Sequence, residues 1–163
     1  MTRWLDAEEQ RTWRAFINAT RLLFDTLDRE LQRDADMPHT YYEILVRLSE
    51  APDRELRMSH LADACGSSRS RLSHAIARLE ERGWVRRRAS PDDRRGQFAE
   101  LTDEGFRVLA AAAPGHVEGV RSHLIDPLTP EQYRQLGEIS RTLVAHLSQD
   151  HGLGEQRAGF SRA

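Results

Sequence analysis

The stretch SSRSRLSHAIARLEERGWVRRRASPDDRRG, residues 67–96, carries nine arginines and four acidic residues. Its net charge of +5 contrasts with the formal charge of −2 for the whole 163-residue chain, so the remaining sequence is acidic. Such segregation of charge is typical of proteins that offer one basic face to a nucleic acid. A solvated charged helix has a similar composition, and only the spacing of the residues distinguishes the two.

A helix over residues 67–82 would have two unlike faces. Leu72, Ile76 and Leu79 fall on one side, and we expect them to pack inward. The other side is small or polar over its first two turns, which suits the DNA major groove because bulky side chains would hold the helix away from the bases. The outward and flanking residues are Ser70, Arg71, Ser73, His74, Ala77, Arg78 and Glu81.

The turn before this helix is a predicted phosphate site. Gly66 interrupts the preceding helix, and Ser67 and Ser68 are good N-cap residues. Free N–H groups at such a turn suit an anion. We therefore expect Ser67, Ser68 and Arg69 to belong to the DNA-binding face.

The second half of the stretch predicts a β-hairpin. Two strand-like segments, 84–88 and 97–101, flank the turn SPDDRRG. Arg94 and Arg95 lie at its tip, where a thin β-ribbon can enter the narrow minor groove. Asp93 can hold such a guanidinium in one rotamer, although an ion pair within the turn is the alternative role. The strand residues expected to contact phosphates are Arg86, Arg87 and Arg88.

The order of the predicted elements indicates a mainly α fold with a small β-hairpin wing. A helix from His39 or Thr40, a short helix over 58–65, the helix 67–82 and the hairpin form a winged helix-turn-helix lobe over 40–101. Long amphipathic helices over 6–33 and within 102–150 flank it, with a kink expected at Pro114, and a lone lobe could not cover both. The tail 151–163 lacks periodicity, so we expect it to be mobile.

Residues 69–105 resemble the MarR family of bacterial transcriptional regulators. The resemblance rests on LEERGWVRR at the helix end, DDRRG in the wing and LTDEG after it. It implies a homodimer whose first and last helices intertwine, bound to pseudo-palindromic double-stranded DNA as a repressor that a small ligand releases. By position, Ser73 and His74 match the base-reading pair of the family, and Asp93 and Arg95 match its wing acid and minor-groove arginine.

The resemblance also implies an effector pocket between the dimerisation helices and the lobe. Trp13, Phe16, Tyr41 and Tyr42 are the candidate lining residues. With Arg14 nearby, a small anionic or aromatic molecule is the expected guest. Plain core and interface packing is the alternative for each of these aromatic residues.

Other function classes find little support in the sequence. No catalytic motif, phosphate loop or His-x3-His pair is present, so we expect no enzyme, no cofactor and no metal site. The lone Cys65 favours a small buried hydrophobe over a redox sensor. The absence of a signal peptide or an apolar span predicts a cytoplasmic protein without membrane contact. A winged helix used only for protein contacts, or a metal- or redox-sensing regulator of the same fold, remain the alternatives.

Overall fold

The computed structural model describes residues 1–89 and 96–150. Within these ranges the fold is mainly α-helical with a small antiparallel sheet, as predicted. The elements in chain order are α1 Ala7–Ala35, α2 His39–Glu50, β1 Glu55–Arg57, α3 Met58–Ala64, α4 Arg69–Glu81, β2 Val85–Ala89, β3 Gln97–Leu101, α5 Asp103–Val120 and α6 Pro130–Asp150. The predicted helices and both hairpin strands are therefore present, with ends shifted by at most five residues.

The lobe has one continuous apolar core. The residues from α4 that were predicted to face inward, Leu72, Ile76 and Leu79, are each at most 1% exposed. They pack with side chains from α2, α3 and the sheet, and Trp84 closes the core beside β2. Burial of this kind stabilises the lobe by about 1.5–3 kcal/mol for each large aliphatic side chain. The other fully buried large residues are Met37, Ile44, Leu45, Leu48 and Leu61.

Two glycines end the helices of the helix-turn-helix. Gly66 and Gly83 have φ of 58° and 73°, a region that residues with a Cβ rarely adopt. After Gly83, the Trp84 N–H donates to the Leu79 carbonyl at 3.0 Å, which satisfies a carbonyl of the last turn of α4. The chain thereby turns directly from α4 into β2, so α4 and the β2–β3 strand pair are adjacent.

The sheet has a third strand that the sequence reasoning missed. β3 lies between β1 and β2, and both neighbours are antiparallel to it. Residues 51–55 were interpreted as a turn, and a 3₁₀ turn does occupy Pro52–Arg54. Residue 55 instead begins β1. A strand of three residues is too short to show an alternating pattern, and its pairing with β3 decides its conformation.

The last helix begins where its capping signal predicts, whereas Pro114, where a kink was expected, does not interrupt the helix before it. α5 continues through Pro114 to Val120, and the change in helical geometry comes afterwards, in a π-helical turn over Arg121–Ile125. Thr129 caps α6, because its hydroxyl accepts from the Gln132 N–H while the Gln132 side chain accepts from the Thr129 N–H. Among the described helices, none is long and apolar enough to cross a membrane.

Candidate nucleic-acid interface

The outward face of α4 has the polar composition that the sequence predicted. Ser68 caps the helix by accepting from the Arg71 N–H at 3.3 Å. Ser70 and His74 are exposed, whereas Ser73 is half-buried beside the sheet. The buried side of the helix fixes its position, so its exposed side presents hydroxyl, imidazole and guanidinium groups to a partner.

The cations of α4 differ in whether the protein already neutralises them. Arg78 forms an ion pair with Glu81 one turn later, with 2.8 Å between Nη1 and Oε2. Within residues 1–89 and 96–150, the side chains of Arg69 and Arg71 make no ion pair. The start of α4 therefore carries positive charge that no described carboxylate compensates, as a phosphate-binding surface requires.

Two arginines of β2 are engaged within the sheet. Arg86 forms a two-pronged ion pair with Glu100, its direct partner on β3, at 2.7 and 2.9 Å. Arg88 reaches across β3 to Glu55 on β1 at 2.6–2.9 Å. The hydrogen bond from Arg86 lowers the pKa of Glu100 below its usual range. Arg86 and Arg88 remain predicted phosphate contacts, but DNA would have to compete with these two carboxylates.

Arg87 faces the opposite way and contacts α4. Its Nη2 donates to the Ser73 carbonyl oxygen at 2.7 Å, and its backbone N–H donates to Glu80 Oε1 at 2.9 Å. Its Nε is buried and lies 3.2 Å from Glu80 Oε2. The period of two along a strand placed Arg87 on the face opposite to Arg86, but sequence reasoning grouped all three arginines together.

Clefts on both sides of α4 add residues to the surface. Between α4 and the sheet, one cleft has a volume of about 390 Å³. Sequence reasoning missed Arg57, Ser59 and Gln97, because they precede or follow the charged stretch. This cleft is lined by Arg57, Met58, Ser59, Arg69, Ser73, Gly96 and Gln97.

On the other side of α4, a second cleft of about 610 Å³ separates it from the start of α2. Thr40 and Tyr41 line it together with His74 and Arg78. Tyr41 was predicted to line an effector pocket, and within one chain it faces this recognition-helix cleft instead. Thr40 and Tyr41 therefore join the candidate DNA-binding surface.

The four aromatic residues of the predicted effector pocket do not line one cavity within a single chain. Tyr42 is buried against the His116 ring, with 4.3 Å between ring centroids. Trp13 and Phe16 are 54% and 49% exposed. Phe24 contacts the His39 ring at the start of α2. Trp13 lies about 16 Å from Phe24 along the axis of α1, so it is far from α2. The pocket stays a prediction, and a second copy would have to complete it.

Histidine and cysteine chemistry gives no sign of a metal or redox centre in the described part of the chain. No group of three or more His, Cys, Asp or Glu residues there could hold a metal ion. Burial raises the pKa of the Cys65 thiol to about 12, and the side chain packs against the core. A thiol with this pKa is protonated at neutral pH, so Cys65 is a poor nucleophile.

The predicted wing-tip residues Asp93, Arg94 and Arg95 lie outside the described residues, as does the predicted tail 151–163. Their roles stay predictions. The described ends of the hairpin, Ala89 and Gln97, are paired in the β2–β3 register. The two strands of the predicted hairpin are therefore present and paired.

A short helix, a tight turn, a second helix with a polar outer face and a following strand pair define a winged helix-turn-helix protein. Residues 35–96 match the model of the MarR family. The chain is 59% identical to Sco3205, a MarR family transcriptional regulator from Streptomyces coelicolor solved in complex with DNA. The TM-score is 0.87, and the match covers 90% of this chain and 92% of that one. This protein belongs to the MarR family, as the resemblance predicted.

Two further relatives agree with this assignment. AbsC, a MarR family transcriptional regulator from Streptomyces coelicolor, is 43% identical, with a TM-score of 0.85 over 91% of this chain and 99% of that one. The transcriptional repressor MprA of Escherichia coli (strain K12) is 32% identical over 110 residues. That match covers 68% of this chain, and the chain spans only 62% of the length of MprA.

Proposed function

We propose that this protein is a sequence-specific DNA-binding transcriptional regulator that acts as a homodimer. The observation that carries the proposal is the exposed face of α4. There Ser70 and His74 lie beside Arg69 and Arg71, which form no ion pair with any carboxylate of the described residues. The DNA complex of the similar protein Sco3205 supports it. An enzyme is the less favoured class, because the relatives described above are transcriptional regulators.

Each part of the surface has a proposed task. Ser73 and His74 read base edges in the major groove, where a good pair discriminates by about 1–3 kcal/mol. Arg95, oriented by Asp93, enters the minor groove with Arg94 beside it. The phosphate-contacting set, which positions the protein without specifying sequence, consists of Ser67, Ser68, Arg69, Arg71, Arg78, Arg86 and Arg88, with the addition of Arg57, Ser59 and Gln97.

The homodimer accounts for apolar surface that one chain leaves exposed. On α1, Trp13, Phe16 and Ile17 are 41–54% exposed, and α6 exposes a similar stripe. A second copy related by a two-fold axis would cover both surfaces. The same axis would place two copies of α4 about 34 Å apart, one turn of DNA, and would require a pseudo-palindromic operator.

Repression that a small anionic or aromatic ligand relieves completes the proposal. A thermal-shift screen with such ligands tests it. The expected hit raises Tm and also releases the protein from DNA, because the ligand then favours a state that binds DNA less well. A ligand that raises Tm and leaves DNA binding unchanged would contradict this part.

The decisive experiment measures binding to labelled duplexes from the protein's own upstream region over a series of salt concentrations. We expect a specific site and a negative slope of log affinity against log salt. His74→Ala should change the preference at one or two base positions in each half-site. Arg134→Ala, on α6 and away from the clefts, is the matched control and should leave affinity and slope unchanged. Absence of any specific duplex would favour a winged helix that binds only proteins.

A further inference from the structure

We propose that Arg87 is a positioning residue that holds the recognition helix α4 and the wing strand β2 at a fixed relative orientation. It would act on DNA binding through α4, without contacting DNA itself. The effect on DNA rests on the function proposed above, whereas the mechanical link can be tested on the free protein.

The contacts of Arg87 span α4 over two turns. Nη2 donates to the Ser73 carbonyl at 2.7 Å, and the side chain and backbone N–H both meet the Glu80 carboxylate, at 3.2 and 2.9 Å. Seven residues separate Ser73 from Glu80, which is about 10.5 Å of helix. Both residues meet one guanidinium, so the contacted atoms themselves lie close together. Holding two residues of α4 with one side chain still opposes rotation of the helix against the strand more than a single contact would.

The neighbouring arginines make a clear contrast on the same strand. Among the described residues, Arg86 and Arg88 form ion pairs with Glu100 and Glu55, so they join one strand of the sheet to another. Arg87 joins the sheet to the helix. Its side chain is 27% exposed and that of Glu80 is 33% exposed, so both are largely covered by protein. Solvent therefore screens this pair less than it screens the exposed pair of Arg86.

The position of the contact connects it to sequence recognition. Ser73 is one of the two predicted base-reading residues, and the guanidinium of Arg87 also approaches the Ser73 hydroxyl at 3.4 Å. β2 leads directly to the wing tip. An arginine suits this role because its planar guanidinium donates to the Ser73 carbonyl through Nη2 while its Nε lies in an ion pair with Glu80, whereas a lysine ammonium is a compact point charge.

The test compares Arg87→Met and Arg87→Lys with Arg69→Ala. A residue that positions α4 should lower specific affinity by about tenfold or more when replaced by Met. The salt slope and nonspecific affinity should stay unchanged, because no phosphate contact is lost. Arg69→Ala should instead reduce the magnitude of the slope by about 0.9. A similar fall in slope for Arg87→Met would overturn the inference and assign Arg87 to the phosphates.

Hydrogen exchange of the free protein tests the mechanical link without DNA. Arg87→Met should accelerate amide exchange in β2 and the second half of α4, and Arg87→Lys should do so less. Unchanged exchange would refute the link. If wild-type protein binds no specific duplex, the proposed function fails, and the exchange data still decide the inference.

Glu80→Gln provides a second variant if Arg87→Met does not fold. It removes the charge of Glu80 but keeps an acceptor for the Arg87 N–H. We expect it to lower specific affinity without changing the salt slope, and combined with Arg87→Lys it should lose less than the sum of the two single losses. Additive losses would show that the two residues act separately and would overturn the inference.

Discussion

The winged lobe and the long flanking helices bury their apolar side chains to very different extents. In the lobe, Leu45 and Ile76 are fully buried within a single chain. On α6, Ile139, Val144 and Leu147 are 50–58% exposed, although their spacing is as regular as that of the lobe residues. Regular apolar spacing therefore marks two situations, a core completed by the same chain and a surface that one chain leaves exposed, which we propose a second chain covers.

The largest expected effect comes from charge on the exposed stripe of α6. The double change Leu143→Glu with Leu147→Glu should leave the lobe folded but abolish the proposed dimer, because two carboxylates would be buried without partners. Specific DNA affinity should fall by about 100-fold or more, since two half-sites are no longer bound together. Light scattering after size exclusion measures the mass, and duplex titration measures the affinity.

Ala145→Glu is the control for surface charge, because it adds one carboxylate to the opposite, polar face of α6. It should leave both mass and affinity unchanged. A double variant that keeps the mass of a dimer would refute the assignment of this stripe to the interface. The exposed apolar stripe of α6 would then not lie in the dimer interface.

The next prediction concerns whether the loss of stability caused by a substitution in each region depends on protein concentration. Ile76→Ala should lower the free energy of unfolding by about 2–5 kcal/mol, because it leaves a cavity in the core of the lobe. Ile139→Ala should destabilise the protein mainly by weakening association. Its loss in Tm should therefore depend on protein concentration. Denaturation at two protein concentrations checks this. If only the effect of Ile76→Ala depended on protein concentration, the core of the lobe, and not α6, would be linked to association.

Replacing two glycines of α5 by alanine should change the stability of the protein by smaller amounts and in opposite directions. A Cβ at Gly105 would collide with the Trp84 backbone carbonyl, whereas one at Gly115 would meet no atom within 4 Å. Gly105→Ala should destabilise the protein by about 1–3 kcal/mol. Gly115→Ala should stabilise it by up to about 1 kcal/mol, because Gly is a poor helix former. Thermal denaturation measures both changes, and the same sign for the two would contradict this packing.

Sequence predicted the parts of this fold that depend on local periodicity and capping. The inward residues of α4, the Gly83 turn and the Thr129 cap each follow from a few neighbouring residues. The ion pairs of the sheet could not be predicted in that way. Arg88 finds Glu55 33 residues away along the chain, and only the pairing of β1 with β3 brings them together.

The same limit applies to the predicted effector pocket, whose lining residues lie far apart along the chain. Trp13 and Tyr42 have the apolar and aromatic character that a pocket needs, but composition does not state whether two helices bring them together. The long α1 carries Trp13 away from the lobe, and a partner chain would decide what covers it. Sites within one helix were therefore easier to predict than sites between elements.

The smallest expected effect is a pH dependence at the boundary between the two regions. Burial, with a smaller contribution from His39, lowers the pKa of His116 below its usual value, and its Nδ1 has no hydrogen-bond partner among the described residues. The folded state thus prefers the neutral ring, so the unfolded state binds more protons between the two pKa values. The resulting stability is complete above about pH 6.5 and decreases as the pH falls below it.

His116→Phe should reduce this loss, because phenylalanine keeps the ring contact with Tyr42 but cannot take up a proton. The free energy of unfolding, measured by denaturant titration from about pH 7 to about pH 5, should fall less steeply than in the wild type. Parallel curves would mean that other groups dominate the titration. A flatter curve would show that protonation of His116, at the contact between α5 and α2, contributes to the loss of stability at low pH.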